Sequence, residues 1–229
     1  MANEHLLSAE LWPALVLLCK RPALGHSKQR LAEQIGGERA LIIAQHLLAC
    51  ALEDIHLWPG DTVLAPDHRQ HLAWSLGLTL ASECLAQGEG NLGERINQLD
   101  AQLRQQGHQS LIYIGSDCPA LCLADYQQVS HLLQQHDSVL LRAEDGGVVL
   151  MASNLPWPDL RALPWSTPQL GEALYECCSL DGQSVALAGQ LFDIDHRQDL
   201  RPLHAFLATD VRPARVALRQ ALEQLGEAG

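Results

Sequence analysis

The feature that most limits what this chain can become is a recurring pair, a short apolar run followed by a polar loop, with stretches of helical periodicity in between. Ala14–Cys19 is a compact apolar run that ends in Lys20-Arg21-Pro22 and then Gly25, as expected of a central strand buried on both faces where it leaves the core. Residues 62–65 follow the punctuation of Pro59-Gly60, residues 78–84 read as a third strand and Leu111–Ile114 as a fourth. Residues 138–141 and 148–151 flank Gly146-Gly147, and residues 184–187 read as a final strand. Residues 37–54 have helical character, as do residues 94–106, where Ile96, Leu99 and Leu103 share a face. Tyr126, Val129 and Leu133 give another helical face, and Ala214, Leu218, Leu222 and Leu225 mark a carboxy-terminal helix with Pro213 in its first turn. Alternating strands and helices imply an α/β fold, a mostly parallel sheet covered on both faces. Residues 154–168, rich in Pro and Trp, interrupt the alternation as an irregular excursion placed to cover a cleft.

The chain has 229 residues, the length of one domain, with its motifs spanning about 14–200 and a helical extension over about 201–229. A hydrophobic fraction of 47% and a charged fraction of 18% suit a globular core and argue against disorder. With 15 basic and 27 acidic residues the formal net charge is -12, which excludes a broad nucleic-acid-binding surface but leaves room for a local phosphate site. The seven cysteines form no C-x-x-C pair, and Cys118 with Cys122 would need two more ligands to hold zinc. Reduced thiols in apolar roles are the reading adopted. Glu4, His5 and Glu10 stand where a signal peptide would be basic and then apolar, and the first apolar run is too short to span a bilayer. The expectation is a cytoplasmic protein with no membrane partner.

Chemistry-bearing residues cluster in five short signatures. In KRPALGHSKQRLA, residues 20–32, Lys20, Lys28 and Arg30 surround Gly25 just before a helix start; cations, a permissive glycine and free helix amides are the parts of an anion site, although basic residues also simply solvate loops. In IGSDCPAL, Asp117 follows a four-residue apolar strand, at the edge where an open sheet binds ligands. It suits a ligand to Mg2+ or Mn2+, or alternatively a cap for the helix that follows. DIDHRQDL offers Asp193, Asp195 and Asp199; Asp195 is the preferred second carboxylate, with helix capping as its rival role. Asp145 in EDGG suits a contact to a sugar hydroxyl or a metal-bound water, and a tight turn explains the same residues. GNLGERI sets Gly90 and Gly93 before a helix from which Glu94 and Arg95 project, which allows a base or phosphate to approach closely. Trp157 and Trp165 are available either for stacking on a base or sugar or for core packing.

Taken in order, K-x-P-x-x-G-x-x-K-x-R-L, G-x-L-G-E-R, G-S-D-C-P, D-G-G and D-I-D-x-x-x-D-L resemble the radical-SAM/selenodomain-associated transferase 1 family, a glycosyltransferase-like branch of the GT-A and nucleotidyltransferase superfamily. The lysine-proline and lysine-x-arginine pattern is also similar to that of phospholactate guanylyltransferases. The resemblance implies a three-layer α/β/α sandwich of the nucleotide-diphospho-sugar transferase, GT-A-like kind. It also implies a metal-dependent transferase that takes a nucleotide or nucleotide-sugar donor and passes a nucleotidyl or glycosyl group to a small acceptor. Lys20, Lys28 and Arg30 would then face phosphates, Asp117 would take the metal-binding acidic position and Asp195 would be the second metal-side carboxylate. Gln29 stands where the family has a threonine, and Leu141-Arg142 and Val148-Val149 replace the residues usual around D-G-G. The acceptor side therefore departs from the family more than the donor side does, and a catalytically impaired nucleotide- or partner-binding module is the alternative. A haloacid-type phosphatase is disfavoured because Asp117 lacks a paired D-x-D acid.

Overall fold

The computed structural model describes residues 12–79 and 82–227, so Glu4, His5, Glu10 and part of the strand expected at 78–84 lie outside the described residues. Its strands are β1 (Ala14–Cys19), β2 (Thr62–Pro66), β3 (Glu83–Cys84), β4 (Leu111–Ile114), β5 (Ser138–Ala143), β6 (Val148–Ser153) and β7 (Val185–Leu191). Its helices are α1 (Gln29–Ile35), α2 (Gly37–Leu57), α3 (Leu72–Leu76), α4 (Leu92–Gln105), α5 (Leu123–Leu133), α6 (Leu170–Leu180), α7 (Arg197–Phe206) and α8 (Pro213–Gln224).

The strands form one sheet in the order β3-β2-β1-β4-β6-β5-β7. All neighbours run parallel except β6, which is antiparallel to both β4 and β5. The exception follows from the chain: only a short turn through Gly146-Gly147 joins β5 to β6, whereas a parallel return needs a long crossover. Alternate residues of β1 feed opposite faces. Leu15, Leu17 and Cys19 join Leu48, Ala51 and Ile55 of α2 and Tyr126, Val129 and Leu133 of α5, while Ala14 and Val16 join Ile96, Leu99 and Leu103 of α4 and Leu174 and Cys178 of α6. This is the expected three-layer arrangement. A third cluster packs Leu200 and Leu203 of α7 and Leu218 and Leu222 of α8 against Ile43 and Leu47 of α2.

Among the described residues, α2 is the one helix long and apolar enough to cross a membrane by length and composition, and half of it is buried in this core. Between 154 and 168 there is neither helix nor strand, as the Pro- and Trp-rich composition predicts. Three helices are additions to the sequence reading, the short α3 together with α6 and α7. α6 carries Leu170, Leu174 and Cys178 on one buried face, and its Gly171 sits where a Cβ would come within 2.9 Å of the Gly146 carbonyl. α7 opens directly after the DID segment.

Candidate functional site

A cleft of about 820 Å³ lies along the carboxyl ends of the parallel strands, where loop residues following β1, β4, β5 and β7 converge. Lys20, Lys28, Arg30, Arg95, Asp117, Asp145, Asp193 and Asp195 all line it. A smaller cavity of about 420 Å³, lined by His56, Asp61, Glu83 and His108, is remote from these motifs.

Lys28 is the centre of the constellation. Its backbone is left-handed, with φ 48°, immediately before α1, and its side chain is only 8% exposed. The ammonium sits 2.9 Å from Asp117 Oδ1 and 3.0 Å from Asp195 Oδ1, and it also donates to the carbonyl of Ile194. Arg30 Nη1 reaches the other oxygen of Asp195 at 3.2 Å. Burial on its own would lower the Lys28 pKa, but the Asp117 and Asp195 carboxylates outweigh it and hold the pKa above the ordinary lysine value. Burial likewise pushes Asp195 upward, and Lys28 and Arg30 prevail to depress it. At Asp193 the compensation falls short: burial, then Asp145, then Asp195 raise it to about 6 against a smaller opposing pull from Lys28.

The backbone holds these side chains in register. The amide of Ile194 donates to the Asp117 carbonyl at 2.9 Å, which binds the segment after β7 to the turn after β4 across the ends of β6 and β5. Neither aspartate caps a helix. The cap of α5 is Cys122 with Asp125, and that of α7 is His196 with Asp199, whose Oδ2 accepts from the amides of Asp195 and His196 at 2.9 and 2.6 Å. Asp199 is thus committed to the backbone, and Asp195 is left to face the cleft.

The remaining predicted positions divide. Asp145 lines the cleft while its Oδ1 accepts from the Gly147 amide at 2.9 Å, so the acid is also a turn-former. Arg95 lines the cleft, and its buried Nε has no protein partner. Gly25, Gly90 and Gly93 are not among the lining residues. Gly25 adopts φ +76° in the turn before α1. At Gly93 a Cβ would lie 2.1 Å from the Leu160 carbonyl, so this glycine lets the 154–168 excursion dock on α4. Glu94 closes a capping box with Asn91, the two bonds measuring 2.8 and 3.1 Å. Trp157 is buried edge-on against Tyr113 at 6.4 Å and is a core residue, whereas Trp165 lines the cleft with its Nε1 donating to Leu160. Ser116 of the G-S-D-C-P signature, Ser166 and Thr167 of the 154–168 excursion, and Gln87, which carried no sequence signal, line it too. Cys118 is buried, its thiol pushed up to about 12 mainly by that burial, and among the described residues no group of three His, Cys, Asp or Glu side chains is arranged to hold a metal unaided.

A family model described as an uncharacterized protein conserved in bacteria (DUF2064) matches residues 47–167, over half of the chain. The chain belongs to this family. No curated protein sequence matches it. Among solved structures, this DUF2064 protein is similar to a protein of Desulfovibrio desulfuricans G20 provisionally named a nucleotide-diphospho-sugar transferase, with 21% identity, 93% of this chain and 96% of that chain covered, and a TM-score of 0.83. It is similar at 10% identity to a cytidylyltransferase from Leptospira borgpetersenii, covering 94% and 95% of the two chains with a TM-score of 0.54. A CMP:2-keto-3-deoxy-manno-octonic acid synthetase complexed with CTP aligns at 12% identity over 87% and 100%, with a TM-score of 0.52. The fold is that of the nucleotide-diphospho-sugar transferases and cytidylyltransferases. The DUF2064 match includes Asp117 and Asp145 but not Lys28 or Asp195, so the Lys28–Asp117 pair joins a residue inside the matched stretch to one outside it, while the Lys28–Asp195 pair lies wholly outside.

Proposed function

We propose that this protein is a transferase that binds a nucleotide or nucleotide-sugar donor and passes a nucleotidyl or glycosyl group to a small acceptor. The observation that carries the reading is the Lys28 ammonium held between Asp117 and Asp195 at the carboxyl edge of the sheet, with Arg30 beside it and Lys20 and Arg95 along the same cleft. Open α/β sheets bind ligands at that edge, and four cations in one cleft of a protein with net charge -12 are a local provision for phosphate. The neighbouring fold includes an enzyme complexed with CTP, which favours a nucleotide in the same place.

The donor set fits a hard divalent cation. Asp117 and Asp195 present carboxylate oxygens around one positive charge, and Mg2+ or Mn2+ is commonly bound by one or two carboxylates with substrate phosphates completing the shell. Such an ion, when bound, neutralises phosphate charge. Asp117 and Asp195 would hold it, Lys28 and Arg30 would bind and orient the donor phosphates, and Trp165 with residues 166–167 would shield the cleft from water. No protein nucleophile is needed, since the acceptor attacks the donor directly. All seven cysteines are free, in keeping with a cytoplasmic setting.

The test is thermal unfolding with CTP, GTP, UTP, ATP and their sugar conjugates, each with and without Mg2+ or Mn2+. At least one donor with metal raises Tm, and Asp117→Ala removes the rise. A panel with no shift under either metal refutes the reading. A second reading, a nucleotide-binding module without turnover, is favoured by Lys28 filling the space between the two carboxylates; it requires binding without release of pyrophosphate or nucleoside diphosphate from the donor, whatever acceptor is supplied.

A further inference from the structure

Outside the cleft, Arg215 on α8 is one of the most heavily connected charged groups among the described residues. Its side chain is fully buried, and its guanidinium donates to Asp54 Oδ2 at 2.7 Å, to Glu53 Oε2 at 3.0 Å and to the carbonyl of Cys50, all on α2. The same guanidinium also reaches across to the turn after β4, with Nε 3.2 Å from the Pro119 carbonyl and Nη2 3.3 Å from that of Leu121. Arg212, one turn earlier, donates to Leu121 O at 2.8 Å and to Asp54 at 3.3 Å, and the Tyr126 hydroxyl of α5 gives Asp54 a further bond at 3.0 Å.

The turn begins at Asp117. The carbonyls of Asp117 and Cys118 accept from the amides of Ile194 and Leu121, while those of Pro119 and Leu121 are held by α8. A buried carbonyl needs a donor, and a planar guanidinium with five N–H groups can satisfy carbonyls and carboxylates on several elements at once. A buried ion network is, by contrast, a poor source of stability, because apolar residues of the same volume often do as well. What Arg215 provides that a leucine would not is a fixed link from α2 to the backbone that carries Asp117.

We infer that Arg215 is a positioning residue for the donor site: through Pro119 and Leu121 it fixes the turn that aims Asp117 at Lys28, which makes α8 a working part of the site and not an appendage. The inference rests on the donor-site reading of the cleft. α8 lies outside the stretch matched by the family model, and none of its residues lines the cleft, so its influence on Asp117 would pass through the turn.

The decisive comparison is among full-length Arg215→Met, Arg215→Lys and Leu218→Ala, the last removing a buried side chain of the same helix that packs in the third apolar cluster. Two quantities are measured well below each variant's Tm: the Kd for CTP, GTP, UTP and ATP with Mn2+, and amide hydrogen exchange across residues 117–121. Arg215→Met is expected to weaken nucleotide binding at least tenfold and to accelerate exchange in the turn, with Arg215→Lys intermediate, whereas Leu218→Ala lowers Tm and leaves both near wild type. If Arg215→Met does not fold, Arg215→Lys against Leu218→Ala decides in the same way. Equal behaviour of the arginine and leucine variants in both measurements overturns the inference. If wild type binds none of the nucleotides, the donor-site reading fails, and exchange by itself then judges the turn: unchanged rates overturn Arg215 as its anchor, and faster rates uphold it.

Discussion

Arg215 and Lys28 each sit between two carboxylates, and they do so for opposite ends. Arg215 lies wholly inside, bonded to Asp54 and Glu53 and to three backbone carbonyls, with Arg212 and Tyr126 completing the shell of Asp54. Lys28 bridges Asp117 and Asp195 at the wall of a cleft, where Asp117 is half exposed and Asp195 a third exposed. The arginine network is closed, with its fork used up on fixed partners. The lysine site is open, since an ammonium is a compact charge on a flexible stem, and the acids around it outnumber what it can neutralise. Asp193, raised to about 6 by burial together with Asp145 and Asp195, is where that surplus shows. A closed network resists change, and an open one is poised for a ligand.

Removing each cation is the most direct way to break the comparison. Arg215→Met leaves the buried Asp54 with Arg212 and the Tyr126 hydroxyl and the part-buried Glu53 with the Ala214 amide, which costs about 3–5 kcal/mol, or on the order of 10 °C in Tm for a chain of this size. Asp117→Ala comes next, and its effect is on binding: a donor at 100 times its Kd adds about 2.7 kcal/mol to wild-type stability, and this increment vanishes in the variant. Lys28→Met is expected to shift the Tm of the free protein by no more than about 3 °C in either direction, because its partners retain access to water, while donor binding falls sharply. Were Lys28→Met to destabilise as much as Arg215→Met, Lys28 would be a structural ion pair and the contrast would collapse.

The same contrast separates what was legible in the sequence from what was not. β1 and β4 appear at the expected residues because a fully apolar run bounded by polar loops has few other fates. Asp117 could be placed at a strand end and Lys28 at a helix start, but their meeting with Asp195 could not be read: it depends on the segment after β7 crossing the ends of β5 and β6 to bond Asp117, a consequence of strand order. Some of the misread residues did carry a local signal. Asn91-x-x-Glu94 is a capping box, which explains Glu94 without any ligand, and His196-x-x-Asp199 does the same for Asp199. Arg215 stands three and seven residues before Leu218 and Leu222, on the face that α8 buries; a charge at an apolar-periodic position signals a buried partner. Its acceptors, distant in sequence on α2 and in the turn after β4, could come only from the fold.

The smallest expected effect gives the sharpest test of whether the lysine site holds unneutralised negative charge. Asp193 keeps its proton up to about pH 6 in the folded protein, whereas the unfolded chain loses it near pH 4. Between those values the folded state binds more protons, so the contribution of Asp193 to stability falls as pH rises through the window and stays low above it. Asp195 runs the other way: its depressed pKa contributes stability above the ordinary aspartate value that is lost as pH falls through the folded one. Asp193→Asn removes the first effect and keeps the second. The Tm difference between variant and wild type should therefore be near zero below pH 4 and grow to about 2 °C in favour of the variant above pH 6, the modest size reflecting solvent screening at the cleft wall. Mn2+ should shrink that difference in part, because a cation between Asp117 and Asp195 offsets the Asp195 contribution and leaves the burial that is the main cause of the shift. A difference that is flat across pH would mean that Asp193 ionises at the ordinary aspartate value, so that neither burial nor the neighbouring acids set the cleft apart from the network around Arg215.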